Sequence, residues 1–262
     1  MFSIAFPNFN PVLLQMGPLK VHWYGLAYAA GIMMGWKHAI YLAKAYVPSL
    51  LPKYLDTFVT WIVLGIVIGG RLGHVVFYEL DHYINHPTEI LMTWKGGMSF
   101  HGGLIGVIVA ALLYWRRLNI PFFTFADILA TASTIGLGLG RIANFINAEL
   151  YGTVTDLPWG VIFPHAGTLP RHPSQLYEAF GEGLLLWLLL NQAWKFSILR
   201  NQPGRITGLF FIGYGVIRFL IEYVREPEIF YTVGTIMITQ GQLLSLPLIA
   251  IGTYWLCRRP CL

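Results

Sequence analysis

Arg141 is the residue in this sequence whose type and surroundings most clearly suggest chemistry. It follows a glycine-rich run at 136–140 in an apolar stretch, and helical spacing puts it on one face with Asn144. A guanidinium fork beside an amide is suited to a phosphodiester, because both groups donate hydrogen bonds to phosphate oxygens. An Arg–Glu pair that ties two helices together is the alternative interpretation of the same spacing.

Arg218 lies in a second polar pattern within an apolar stretch. A charged side chain at the middle of a bilayer costs at least about 2.5–3.5 kcal/mol and normally faces a partner or a water-filled cavity. The pattern therefore predicts a polar bundle interior, either as a ligand site or as a buried structural network. Four residues recur at helical spacing and share this stripe: Tyr214, Arg218, Glu222 and Arg225.

His101 is the candidate for accepting a proton. Imidazole exchanges a proton near neutral pH, so this side chain can act as a general base. A structural histidine is the alternative. Tyr24, near the start of the first apolar stretch, either anchors the chain at the membrane surface or points its hydroxyl at a substrate headgroup. The glycines that leave room around His101 are Gly96, Gly97, Gly102, Gly103 and Gly106.

Two other polar residues are interpreted structurally. Arg71 stands near the outer end of the second apolar stretch, and we expect its side chain to extend along the helix to the membrane surface. Ser174 precedes the fifth apolar stretch, and we expect its hydroxyl to cap the helix that begins there.

The composition places these residues in a membrane protein. Of the 262 residues 56% are hydrophobic and only 11% are charged, whereas a soluble domain carries about 25% charged residues. The net charge of +5 fits the excess of Lys and Arg in cytoplasmic loops, so no nucleic-acid partner is expected. The motifs of serine hydrolases, zinc proteases and NTPases are missing from the sequence, and neither a metal nor a cofactor is expected.

Seven apolar segments are long enough to position these side chains in a bilayer. They predict an all-α fold, a polytopic bundle of seven transmembrane helices in a single domain of residues 1–262. The polar segment around 147–177 is long for a plain connection and predicts a small periplasmic head. The candidate spans lie near 21–43, 56–78, 99–115, 122–146, 178–195, 206–224 and 238–256.

Positive charges predict the orientation of the bundle. Ten Lys and Arg residues fall on one side of the membrane and four on the other, which places the N-terminus in the periplasm and the C-terminus in the cytoplasm. The ten are Lys37, Lys44, Lys53, Arg116, Arg117, Lys195, Arg200, Arg205, Arg258 and Arg259; the four are Lys20, Lys95, Arg171 and Arg225.

Taken in order, the motifs of this sequence resemble those of the prolipoprotein diacylglyceryl transferase family of bacteria. The resemblance covers nearly the whole chain, and several motifs at matching separations are more specific than any one of them. The segment 153–170 is shorter than in many members, and His74, Ala148 and Tyr151 stand where Tyr, Gly and Trp are expected. The matching stretches are 22–25, 69–71, 96–103, 140–147, 171–178, 213–218 and 241–242.

The resemblance implies an enzyme of the bacterial inner membrane whose active site opens towards the periplasm. The diacylglyceryl group of phosphatidylglycerol passes to the thiol of a lipobox cysteine in a prolipoprotein signal peptide, and glycerol 1-phosphate leaves. The implied partners are thus phosphatidylglycerol, these peptides and membrane lipids. His101 then takes the thiol proton or orients a partner, while Arg141 and Arg218 stabilise the departing phosphate. The residues implied to bind phosphatidylglycerol are Arg141, Arg218, Asn144, Tyr24, Tyr214, Glu149, Gly152 and Glu222.

Two other functions compete with this one. A transporter or flippase for an anionic lipid would also need buried arginines and broken helices, but it predicts repeats in the two halves of the chain, which the sequence lacks. A photoreceptor would need a lysine within a span for a retinal Schiff base, whereas Lys37 and Lys44 lie towards the cytoplasmic end of the first span. The sequence therefore favours the transferase, with two arginines and a histidine at its centre and Arg71 in a supporting place.

Overall fold

The computed structural model describes residues 4–7, 9–16, 19–227, 229–233 and 236–258, the side chains of residues 16, 19, 20, 95, 233 and 236 excepted. Most of this part of the chain is helical. Arg259, which counts towards the cytoplasmic charge, lies outside the described residues, and so do the side chains of Lys20 and Lys95.

The helices follow the apolar segments closely. Between α6 and α7 the helix widens into a π-helical stretch, Ala179–Leu185, and two short 3₁₀ turns occupy Pro87–Leu91 and Thr93–Lys95. The α-helices are α1 (Trp23–Tyr46), α2 (Pro52–Phe77), α3 (Leu80–Asn85), α4 (Phe100–Trp115), α5 (Phe122–Ile146), α6 (Ser174–Glu178), α7 (Leu186–Lys195), α8 (Ser197–Arg200), α9 (Arg205–Ile221) and α10 (Gln240–Cys257).

Within the described ranges, three small sheets depart from the predicted all-α fold, which is therefore correct only as the dominant class. Each has two strands, and a hydropathy window of about 20 residues averages over strands so short. The strands β1 (Ile4–Ala5) and β4 (Val161–Ile162) pair in parallel. Antiparallel pairs join β2 (Val12–Met16) with β3 (Leu19–His22) and β5 (Phe230–Val233) with β6 (Ile236–Thr239).

Each of the seven candidate spans overlaps a helix. Fewer of these helices are both long enough and apolar enough to cross a membrane by themselves. Within the described residues, α2 and α5 are long and apolar enough to cross a membrane, with mean hydropathies of 1.7 and 1.5. The helix α4 is apolar but shorter. The number of spans and the orientation of the termini remain predictions.

Contacts divide the chain into two compact units, residues 1–39 with 126–262 and residues 40–125. In the second unit α2 and α4 pack backbone to backbone through glycines. A Cβ atom on Gly69 would lie 2.4 Å from the carbonyl oxygen of Gly102, and one on Gly106 would lie 2.0 Å from that of Gly65. This contact fixes the start of α4, which carries His101. The prediction of a single domain stays untested.

In the first unit, close helix contacts position the two arginines. A Cβ atom on Gly183 would lie 2.6 Å from the Cα atom of Gly138, so α5 touches the π-helical stretch just before Arg141. At the other end of the bundle, the carboxylate of Asp127 accepts hydrogen bonds from the backbone N–H groups of Gly204 and Thr207, at 2.9 and 2.7 Å. Asp127 thereby ties α5 to the first turn of α9, the helix that carries Arg218.

The head segment at 147–177 has its own small apolar core. Phe163 is fully buried there and packs with Ala148 and Val161. Tyr151 stacks on Phe163 with ring centroids 5.2 Å apart, so tyrosine fills the place where tryptophan is expected. Ala148 adopts a left-handed backbone with φ 55°, a conformation that glycine enters more easily, which fits the glycine that the resemblance leads us to expect here.

Candidate active site

Arg141 lies near the end of α5 and faces two glutamates on the neighbouring helix. Its Nε and Nη2 donate hydrogen bonds to Oε2 of Glu182 at 3.2 and 3.1 Å. Its Nη1 is 3.3 Å from Oε2 of Glu178. The π-helical stretch contributes to this arrangement, since insertions of this kind redirect side chains and are frequent at functional sites.

Arg218 lies on α9 and reaches the same carboxylates. Its Nη1 donates to Oε1 of Glu178 and its Nη2 to Oε1 of Glu222, one helical turn further along. Arg225 also donates to Oε1 of Glu178, at 2.8 Å. The carboxylate of Glu178 is fully buried, and it contacts the guanidinium groups of all three arginines.

These contacts define an arginine–glutamate cluster of six residues that has no net charge when all are ionised. Side-chain exposure is 17% for Arg141 and 15% for Arg218, whereas Glu178 and Glu182 are inaccessible. An incoming ligand therefore meets the two arginines first. Paired guanidinium forks in a dry site are suited to phosphate oxygens, because the low dielectric strengthens each interaction. The members are Arg141, Arg218, Arg225, Glu178, Glu182 and Glu222.

Glu222 connects the cluster to α10. The hydroxyl of Thr239 donates to its Oε2 at 2.6 Å, and Thr239 with Gln242 forms a capping box that starts the helix. A Cβ atom on Gly241 would lie 2.4 Å from the carboxyl carbon of Glu222. Gly241 thus makes room for the buried carboxylate, and Gln242 serves the capping box whose threonine binds that carboxylate.

Asn144, Glu149 and Gly152 lie at the turn that leads out of α5. The side-chain amide of Asn144 donates to Oε1 of Glu149 at 2.7 Å, and Gln175 donates to the backbone carbonyl of Glu149 at 2.6 Å. A Cβ atom on Gly152 would lie 2.3 Å from the carbonyl oxygen of Val224, which follows α9. These residues shape the edge of the cluster where the head begins.

The tyrosines are placed differently from one another. Tyr214 lies on α9 within electrostatic range of Arg141. The hydroxyl of Tyr24 lies 3.3 Å from that of Tyr28, and Tyr28 is within electrostatic range of Arg141 and Glu149. Sequence reasoning missed Tyr28, although its i,i+4 spacing from Tyr24 is a usable signal.

His101 is the second residue of α4 and belongs to the unit of residues 40–125. Its helix starts at a side-chain cap, since the hydroxyl of Ser99 accepts a hydrogen bond from the N–H of Gly102 at 3.2 Å. The imidazole is exposed and meets the ring of Phe100 edge-on, with centroids 5.6 Å apart. The role of His101 remains a prediction.

The expectation that Arg71 extends to the membrane surface is wrong. Its side chain is buried, with only 4% of the residue exposed, and it donates to backbone carbonyls of the loop at 89–97. The acceptors include Ile90 at 2.8 Å and Gly96 at 2.6 Å. A guanidinium group has five N–H donors, and the carbonyl groups of this loop accept hydrogen bonds from it. Arg71 therefore holds the segment that leads into α4.

The expectation that Ser174 caps a helix is also wrong. Its hydroxyl donates to the carbonyl of Leu150 at 3.0 Å, and Pro173 precedes α6 without a side-chain cap. Ser174 thus joins the head to the start of the helix that carries Glu178. Neither Glu178 nor Glu182 was singled out as a site residue in the sequence. Two acidic residues at i,i+4 in an apolar stretch are the signal that identifies them.

No group of three His, Cys, Asp or Glu side chains that could hold a metal ion occurs within the described part of the chain. The cluster's carboxylates bind guanidinium groups instead. The expectation that the protein needs no metal or cofactor stays a prediction.

Comparison with known proteins identifies relatives along the whole chain. The family model of prolipoprotein diacylglyceryl transferase matches residues 11–258. A protein of Rhodospirillum centenum is 48% identical over 265 residues, which cover 99% of this chain and 95% of that protein. Relatives in Rhodospirillum rubrum and Rickettsia felis are 46% and 47% identical, with 96% and 97% of this chain and 93% and 98% of theirs covered. All three are named phosphatidylglycerol–prolipoprotein diacylglyceryl transferase.

Proposed function

Because the chain belongs to the prolipoprotein diacylglyceryl transferase family, we propose that it transfers the diacylglyceryl group of phosphatidylglycerol to the lipobox cysteine of prolipoproteins. Glycerol 1-phosphate is the second product. The reaction is the first step of lipoprotein maturation in the bacterial inner membrane. The seven helical segments cross the membrane with the N-terminus in the periplasm, and the active site opens to that side.

The observation that carries this proposal is the arginine–glutamate cluster with two partly accessible arginines. Transfer breaks a carbon–oxygen bond and leaves negative charge on a phosphate. Arg141 and Arg218 provide two guanidinium forks on adjacent helices for that charge, and both contact the same buried carboxylate of Glu178. Fixed donors aimed at developing charge lower the barrier most where water is excluded.

The remaining predicted residues surround this phosphate site in the proposed enzyme. Asn144 and Glu149 form the hydrogen-bonded rim at the end of α5, and Gly152 allows the close chain approach beside them. Tyr24 and Tyr214 face the lipid headgroup. Glu222 orients Arg218 through their shared hydrogen bond.

His101 takes the proton of the cysteine thiol in this proposal. Only the thiolate is a good nucleophile, and at neutral pH a free thiol is mostly protonated. An imidazole is the group whose ordinary pKa suits that transfer. The thiolate then attacks the glycerol carbon that carries the phosphate.

The test uses purified protein, phosphatidylglycerol and a synthetic lipobox peptide, with mass spectrometry of the peptide. The wild type is expected to add a diacylglyceryl group to the cysteine. Arg141→Ala removes one of the two phosphate donors and is expected to lower the transfer rate by about 100- to 1,000-fold. Arg116→Ala, an exposed arginine in the turn after α4, is the matched control and is expected to keep the wild-type rate.

Full activity of Arg141→Ala would contradict the assignment of the phosphate site. Lipid movement without a covalent adduct on the peptide, by the wild type, would instead support a flippase and refute the transferase.

A further inference from the structure

Glu182 differs from the other two carboxylates of the cluster because one of its oxygens has neither a hydrogen bond nor an ion pair with any described residue. Its Oε2 accepts both hydrogen bonds from Arg141, whereas Oε1 is buried and accepts none from any described residue. In Glu178, Oε1 accepts hydrogen bonds from Arg218 and Arg225, while Oε2 makes no hydrogen bond but forms an ion pair with Arg141 at 3.3 Å. In Glu222 one oxygen accepts from Arg218 and the other from a hydroxyl. Burying an acceptor without a donor is unfavourable, so the position of this oxygen needs an explanation.

Packing on both sides holds Glu182 in this position. A Cβ atom on Gly181 would lie 2.6 Å from a methyl group of Ile217, and one on Gly183 would lie 2.6 Å from Gly138. The two glycines that flank Glu182 are therefore in direct contact with α9 and α5. The carboxyl group is fixed between the helices that carry Arg218 and Arg141.

Charge balance indicates what the unpartnered oxygen does when a lipid binds. The cluster is neutral when ionised, and a phosphodiester adds one negative charge to a site where unpaired charge is expensive. A proton on one carboxylate restores neutrality. The charged and titratable groups that face Glu182 are Arg141 from α5, Glu178 from its own helix, and Arg218 and Tyr214 from α9. Among the three carboxylates, Glu182 can accept a proton on Oε1 without displacing either a hydrogen bond or an ion pair of the described residues.

We infer that Glu182 is a catalytic acid, which takes up a proton when the phosphodiester binds at Arg141 and donates it to the departing phosphate. The inference rests on the proposed function. In the transfer step the sulfur–carbon bond forms and the carbon–oxygen bond breaks. The electron pair of the broken bond stays on the phosphate oxygen, and a phosphate oxygen receives the proton from Oε1 of Glu182. The thiol proton goes to the base and from there to solvent, and solvent supplies the next proton to Glu182. Overall, the thiol loses one proton and the product gains one.

Proton uptake on lipid binding is the direct test. Titration calorimetry of the whole protein with phosphatidylglycerol, without peptide, in two buffers of different ionisation enthalpy counts the protons taken up. The wild type is expected to take up one proton per lipid, and Glu182→Gln is expected to bind the lipid without uptake. Glu226→Gln makes the same substitution at a half-exposed carboxylate paired with Arg171 and is expected to behave as the wild type.

Kinetics separate catalysis from folding. With the lipobox peptide, Glu182→Gln is expected to lower kcat by roughly 100-fold or more, since general acids contribute about 10²–10⁴-fold. The KM for phosphatidylglycerol should stay equal or fall, because the variant leaves Arg141 with one carboxylate partner, Glu178, instead of two. If the glutamine variant does not fold, Glu182→Asp takes its place in the test. This variant keeps a carboxyl group, so it must still take up a proton on lipid binding while its kcat falls.

The outcomes distinguish this role from the function on which it rests. Transfer by the wild type without proton uptake overturns the role of Glu182 and leaves the transferase intact, as does full uptake by Glu182→Gln. If Glu182→Asp takes up no proton on lipid binding, or keeps the kcat of the wild type, the role of Glu182 is likewise overturned and the transferase stays intact. No transfer by the wild type would instead refute the function itself.

Discussion

Glu178→Gln is expected to destabilise the protein strongly, and an anionic lipid is expected to restore part of the loss. The substitution keeps the shape of the side chain and removes one negative charge from the arginine–glutamate cluster. Three guanidinium groups, those of Arg141, Arg218 and Arg225, then face two carboxylates. The cluster keeps one uncompensated positive charge in the bundle interior.

The contacts of Glu178 indicate the size of the effect. At an effective dielectric of about 20, the ion pairs at 3.3 Å with Arg141 and 2.8 Å with Arg225 contribute about 5–6 kcal/mol each, before the cost of desolvation. Removing one partner of a buried pair typically costs about 3–5 kcal/mol after that offset. For a chain of 262 residues with the unfolding entropy of globular proteins, this loss lowers the Tm by about 5–9 °C.

The assay is thermal unfolding of the purified protein in detergent, with and without added phosphatidylglycerol. The phosphodiester supplies the missing negative charge, so phosphatidylglycerol should raise the Tm of Glu178→Gln more than that of the wild type. A zwitterionic lipid should have no such differential effect. Glu226→Gln is the control, because half-exposed ion pairs contribute only about 0–1 kcal/mol.

A Tm loss no larger than that of Glu226→Gln would refute the reasoning from buried charge. An equal gain from phosphatidylglycerol in both proteins would refute the idea that the lipid phosphate enters the cluster.

Two further predictions concern packing and pH. Gly183→Ala is expected to destabilise the protein by about 1–3 kcal/mol, because the new Cβ atom would lie 2.6 Å from Gly138 and push the π-helical stretch away from α5. Gly136→Ala, whose Cβ atom meets nothing within 4 Å, is the control in thermal unfolding, and equal losses would contradict the close contact. Burial lowers the pKa of His172 below its ordinary value of 6.5, so the unfolded chain binds a proton there that the folded head does not. Stability is expected to fall as the pH drops through about 6.5, and to fall less in His172→Gln; identical pH curves for the two proteins would argue against the burial.

The helices were the most predictable part of the fold. The candidate span at 122–146 coincides with α5, and that at 99–115 begins one residue before α4. Hydropathy is a local property, and a run of about 20 apolar residues has few structures available in a bilayer. The short strands were not predicted, since pairs of two to five residues depend on which segments meet.

The site was predicted in part. Arg218, Glu222 and Arg225 lie together as their polar stripe indicated, and Arg141 joins the same cluster, which only the resemblance implied. Asn144 pairs with Glu149 beside it. Glu178 and Glu182 were missed as site residues because their partners lie about 40 residues away in the chain. Arg71 was misjudged for the same reason, since its acceptors are the carbonyls of a loop that follows 18–26 residues later.

The sequence by itself determined the class of protein, the positions of its apolar helices, the residues with unusual charge in them and the family to which the chain belongs. These follow from composition, from periodicity and from ordered motifs, which are properties of neighbouring residues. Only the tertiary structure decided which carboxylate faces which arginine, and that one oxygen of Glu182 has no partner among the described residues. A buried charge is stable only with partners from other helices, so its role depends on packing that no local pattern contains.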